Sequence, residues 1–153
     1  FPSNQVDPID VLAISSSKKL LAAAAGNTVV VWEVDQRPVS DPLWQRTLRR
    51  ASGVRQIVLD PHDEILFIAS DGIGLVAFAT NDSKSSQPIF EFEHGKSAQS
   101  LSITPDGNLL FSSGADGGVK IWNLQSIRMV NEACKREKIQ PSFPTDPGTA
   151  TEA

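Results

Sequence analysis

One apolar pattern is written three times in this chain, over residues 9–34, 54–79 and 98–124. Each unit opens on an alternation: Leu12 and Ile14, then Ile57 and Leu59, then Leu101 and Ile103. Each passes a polar turn (Ser16-Ser17-Lys18, Pro61-His62-Asp63, Pro105-Asp106-Gly107) and enters a second apolar run at Leu20, Ile65 or Leu109. A glycine-bearing turn leads to a third run closing on Val31-Trp32, Ala77-Phe78 or Ile121-Trp122. Leu12, Ile57 and Leu101 stand 45 and 44 residues apart, and Trp32, Phe78 and Trp122 stand 46 and 44 apart. Period-2 alternation signals strands. A period near 45 built only from strands signals a stack of blades, in which no unit can bury its own apolar face without a neighbour.

Two further strand candidates follow the first two units. They are Leu43-Trp44-Gln45-Arg46-Thr47-Leu48 and Pro88-Ile89-Phe90-Glu91-Phe92-Glu93. In the second, Phe90 and Phe92 alternate with charges, and Pro88 fits a sheet edge, where a missing donor is tolerated. The loops at 35–42 and 80–87 carry the Pro, Ser, Asp and Asn of solvent turns. After Leu124 no fourth strand is written. Ser126 reads as an N-cap, and Ile127, Val130 and Cys134 share a helical face, so a short helix is expected over 125–139. The Pro-rich end, 140–153, reads as a disordered tail, and 1–8 as a lead-in.

With 153 residues, 40% hydrophobic and 21% charged, the chain is long enough to bury a core. Its net charge of −4 gives no reason to expect nucleic acid or an anionic membrane as partner. The single cysteine, Cys134, rules out an intramolecular disulfide and a Cys-based zinc site. No apolar run reaches the length of a membrane span and no signal peptide is read, so a cytoplasmic location is the expectation.

The third unit resembles a WD40 repeat. Ser102-Ile103-Thr104-Pro105-Asp106-Gly107-Asn108-Leu109-Leu110 is similar to that family's first strand, turn and second strand. Ala115-Asp116-Gly117-Gly118-Val119-Lys120-Ile121-Trp122-Asn123-Leu124 is similar to its third strand, with Trp-Asn in place of the terminal Trp-Asp. The resemblance implies a structural tetrad of His94, Ser112 (Ser113 if the register slips), Asp116 and Trp122, hydrogen-bonded across the blade. The other units depart from the pattern. Gln5 and Arg50 stand where the histidine would, Gly26 stands for the aspartate, Asp71 lies one residue out of register, and Phe78 replaces the tryptophan. The fold implied is all-β, a partial β-propeller of three WD40-like four-stranded antiparallel blades (9–48, 54–93 and 98–124), the last lacking its outer strand. Three blades cannot close a ring of four to eight. The chain, which opens on Phe1 instead of Met, is therefore expected to be the C-terminal part of a larger propeller, with two copies closing a six-bladed ring as the alternative.

No catalytic signature is present: there is no Gly-x-Ser-x-Gly elbow, no His-Glu-x-x-His and no phosphate-cradling glycine loop. Gly72, Gly74, Gly117 and Gly118 belong to hairpin turns. His94 with Asp116 reads as part of the staple in preference to an acid–base dyad. Asp60-Pro61-His62-Asp63-Glu64 reads as a solvated hairpin in preference to a cation site. Trp44 is either an exposed contact or, preferably, filler between blades. Arg46, Arg49, Arg50 and Arg55 form the only basic concentration, and no aromatic residues interleave it as single-stranded nucleic acid would need. Arginine forks grip carboxylate or phosphate, so Arg50, Arg55, Asp71 and Lys96 are the loop positions expected to contact a protein or peptide, an acidic one by the charge of the patch. The function expected is a non-enzymatic interaction scaffold without cofactor or metal. The alternative is a regulatory propeller at the C-terminal end of a signalling protein such as a signal-transducing NTPase, whose catalytic part lies upstream.

Overall fold

The computed structural model describes residues 8–34, 41–81, 87–92, 94–95, 97–129, 132 and 151–152. Three four-stranded antiparallel sheets follow one another along the chain. The first contains β1 (Ile9–Ile14), β2 (Leu20–Ala25), β3 (Thr28–Glu33) and β4 (Trp44–Thr47). The second contains β5 (Gly53–Leu59), β6 (Ile65–Asp71), β7 (Gly74–Ala79) and β8 (Phe90–Phe92). The third contains β9 (Ala98–Ile103), β10 (Leu109–Gly114), β11 (Val119–Asn123) and β12 (Thr151–Glu152). Within each sheet the strands lie in chain order, and the first strands β1, β5 and β9 adjoin their neighbours from blade to blade.

Alternation along the strands distributes side chains between two cores. In β6 and β7, Leu66, Ile68, Val76 and Phe78 pack with the first blade's Ala22, Ala24, Val29, Val31 and Trp44. Their sequence neighbours Ile65, Phe67, Ala69, Leu75 and Ala77 pack with Leu101, Leu110 and Trp122 of the third blade. The middle sheet is covered on both faces, which is why β6 and β7 read as unbroken apolar runs. Phe67, Ile65, Leu66, Ile68 and Leu75 are fully buried, each worth about 1.5–3 kcal/mol relative to exposure. At the second junction an aromatic ladder runs from Phe90 to Phe92 (4.8 Å between centroids) and on to Trp122 (4.9 Å), both edge-on. Trp44 is filler: it is buried, and its Nε1 donates to the Thr80 carbonyl of the second blade at 3.2 Å.

The polar turn after the first strand of each blade is built the same way three times. Ser15, Asp60 and Thr104 each accept a side-chain hydrogen bond from the backbone N–H five residues on, at 3.0, 2.9 and 3.1 Å. Lys18, Asp63 and Gly107 occupy the left-handed region in it, with φ of 63°, 62° and 69°. Only the third unit places glycine there, so sequence alone hides the equivalence.

Several expectations are corrected. The third blade does have an outer strand: β12 pairs antiparallel with β11, Lys120 opposite Glu152 and Ile121 opposite Thr151. Thr151–Glu152 therefore departs from the disordered tail expected there. Without β12 the outer backbone edge of β11 would be a row of unpaired groups, a template that an extended segment satisfies. Residues 125–129 and 132 are helical, but Ser126 is not the cap. Asn123 Oδ1 accepts from the Gln125 N–H at 3.0 Å, so the asparagine that replaces the family's aspartate starts the helical turn. Ile127 is buried there. Val130 and Cys134, most of the lead-in, and Lys96 lie outside the described residues.

Candidate functional site

Of the implied tetrad, the structure joins Trp122 to Ser112: the indole Nε1 donates to Ser112 Oγ at 2.7 Å, with both residues buried. Ser112, not Ser113, is the hydroxyl that faces the indole. His94 is 2% exposed and lies 6.2 Å from the Trp122 ring, yet neither imidazole nitrogen has a hydrogen-bond partner among the described residues. Asp116 is exposed and accepts from the Gly118 N–H at 3.0 Å. The histidine and the aspartate converge on Gly114, where a Cβ would stand 2.7 Å from Asp116 Oδ1 and 2.7 Å from His94 Cε1. Gly114 is a residue that sequence reading missed. Its signal is a glycine ending the second strand of the blade to which the implied tetrad assigns both its histidine, His94, and its aspartate, Asp116.

Arg55 and Asp71, both expected to face a partner, face each other. Arg55 Nε donates to Asp71 Oδ2 at 2.7 Å, and a second guanidinium nitrogen of the fork reaches the same oxygen. Ser97 of the third blade donates to Asp71 Oδ1 at 2.5 Å, so the carboxylate ties the second blade to the third. Hydrogen bonds from Arg55 first, then from Ser97, hold the Asp71 carboxyl below its ordinary value, and the same pairing raises Arg55. Asp71 thus contributes stability that is present above the ordinary Asp range and is lost as pH falls through its lowered value. Asp71→Asn is expected to flatten the loss of stability below about pH 4, read by thermal melts from pH 2 to 7. An unchanged acid limb would remove Asp71 from the account.

Arg49 and Arg50 are exposed on a turn closed by the Ala51 N–H to the Leu48 carbonyl at 3.1 Å. That turn is pinned at both ends. The Leu48 N–H donates to the Asn27 carbonyl at 2.9 Å, and the Ser52 N–H to the Asp71 carbonyl at 2.9 Å. A Cβ on Gly72 would meet the Arg50 carbonyl oxygen at 2.3 Å, so the glycine lets the two chains touch.

The segment read as a solvated hairpin is solvated only in part. His62 is exposed, but Asp60 is fully buried. Asp60 Oδ1 accepts from the N–H groups of Glu64 and Ile65 at 2.7 and 2.9 Å. Its Oδ2 lies 3.0 Å from the Arg128 guanidinium, which also donates to the Gly107 carbonyl at 3.0 Å. One arginine of the last helical turn thereby clamps the corresponding turns of the second and third blades. Among the described residues no three His, Cys, Asp or Glu side chains gather to hold a metal, and no described helix is long and apolar enough to cross a membrane.

Consecutive four-stranded antiparallel sheets, stacked face to face with their first strands adjoining, are blades of a β-propeller. Residues 86–123 match the family described as "WD domain, G-beta repeat", so that stretch of the chain reads as one WD40 repeat. It is similar to mouse Transducin-like enhancer protein 2, 28% identical over 125 residues, which cover 79% of this chain and 16% of that protein. It is also similar to Protein groucho of Drosophila melanogaster, 26% identical over 125 residues, covering 79% of this chain and 17% of that protein. The chain thus spans about a sixth of the length of these curated relatives. The crystal structure of the computationally designed Ika4 protein shares the fold, with a TM-score of 0.62 at 20% identity over 79% of this chain and 69% of that one.

Proposed function

We propose that the chain is a non-enzymatic protein-interaction scaffold, built to be covered on the free face of its first blade and to grip a partner with rim loops such as the one bearing Arg50. The observation that carries this reading is a contrast between equivalent positions. Leu12 and Ile14 are 66% and 59% exposed, whereas their counterparts Ile57, Leu59 and Leu101 are 3%, 6% and 4% exposed. Those counterparts are covered by the blade before them. An apolar face that the same chain twice buries under a neighbouring sheet is an interaction surface. Its occupant in this reading is a further blade of a longer chain, with a second copy as the alternative.

The replacement of both Leu12 and Ile14 by Asp tests it. The 153-residue chain is expected to self-associate or to bind an environment-sensitive apolar dye, and the double variant to do neither while keeping its circular dichroism. A monodisperse wild-type chain that binds no dye would sink the reading. A clean dimer by light scattering would make the occupant a second copy.

A further inference from the structure

We infer that the groove between the first and second blades, beside the Arg49–Arg50 turn, docks an extended segment alternating carboxylate and apolar side chains. This rests on the scaffold reading and names its partner. The groove has a volume of about 400 Å³. Arg49, Arg50, Ile73 and Glu91 line it, over a floor of the buried Leu48, Val76 and Phe78.

Among the described arginines the two at the groove differ from the others. Arg55 is held by Asp71 and Arg128 by Asp60 and Gly107. Arg46 lies over the rings of Trp44 and Phe78, at 5.0 and 5.6 Å. Arg49 and Arg50 carry no ion pair among the described residues, and their backbone is fixed by the Leu48–Ala51 turn, by Asn27 and by the Gly72 contact. Two adjacent arginines on a closed turn can fork carboxylates with only their side chains left to order, because the ordering entropy of the turn is already lost. Glu91 sets direction: it repels a carboxylate, so the acidic residue of the segment lies toward the arginines, and a neutral or apolar one passes Glu91.

The test uses three fluorescein-labelled nonapeptides in which leucine alternates with aspartate, lysine or phosphoserine, read by anisotropy with the full chain. The aspartate peptide is expected to bind, to weaken as salt is raised, and to lose about tenfold in affinity with Arg49→Glu/Arg50→Glu. The milder Arg49→Gln/Arg50→Gln pair should lose less, Ile73→Asp should also weaken binding, and Arg55→Gln should leave it unchanged. Equal affinity in the charge-reversed variant, equal binding of the lysine peptide, or a tenfold preference for phosphoserine would each overturn the inference. Loss of peptide binding in a chain that still associates through Leu12 and Ile14 would sink the groove and spare the scaffold reading.

Discussion

Arg128→Ala is expected to destabilise the chain by about 3–5 kcal/mol, the range for removing one partner of a buried ion pair. Asp60 is fully buried, and its Oδ2 has no hydrogen-bond partner among the described residues. The Arg128 guanidinium, 3.0 Å away, is the charge that offsets its desolvation. Deleting the arginine leaves a fully buried carboxylate without its counter-charge and also frees the Gly107 carbonyl. The coupling is testable by a double-mutant cycle in urea. Asp60→Asn should be the milder change, because its amide oxygen can keep the bonds from Glu64 and Ile65. The same substitution should recover much of the loss in the Arg128→Ala background. An Arg128→Ala variant within about 1 kcal/mol of the parent, or additive single effects, would show that water already reaches Asp60.

The second large effect belongs to Gly114→Ala. Its methyl would stand 2.7 Å from both Asp116 Oδ1 and His94 Cε1, and 3.1 Å from His94 Nδ1. Asp116 can swing into solvent, but His94 is buried against Trp122 and cannot retreat without disturbing the indole bonded to Ser112. Overpacking of this kind costs about 1–3 kcal/mol, and the upper end applies here because the obstacle is a buried ring. Gly117→Ala is the control. Its position has φ +80° with nothing within 4 Å, so only backbone strain of about 1–2 kcal/mol is at stake. Denaturation midpoints should fall further for Gly114→Ala than for Gly117→Ala. The reverse order would mean that His94 and Asp116 are not held against Gly114.

Much of the architecture was legible in the residues. The spacing of Leu12, Ile57 and Leu101 placed β1, β5 and β9, and the Phe90/Phe92 alternation placed β8 with its dry face inward. The candidate site was legible only in part. Arg55 and Asp71 each looked like a free charge because they are 16 residues apart, and their pairing exists only where β5 lies beside β6. Asp60 looked solvated because polar neighbours surround it in sequence. A hint lay in the recurrence of Ser15, Asp60 and Thr104 at one position of the repeat, a placement that a purely solvated turn does not require.

By itself the sequence determined the blade: period-2 alternation fixes which side chains share a face, and turn chemistry fixes where the chain reverses. That is local physics, set by backbone geometry within a few residues. Only the tertiary structure decided which faces are covered, which charges meet and which edge is completed. Leu12 and Ile57 are equivalent in sequence, yet one is 66% and the other 3% exposed. The difference lies in whether another sheet stands in front, and burial, ion pairing and edge pairing all depend on neighbours that alternation along one strand does not specify.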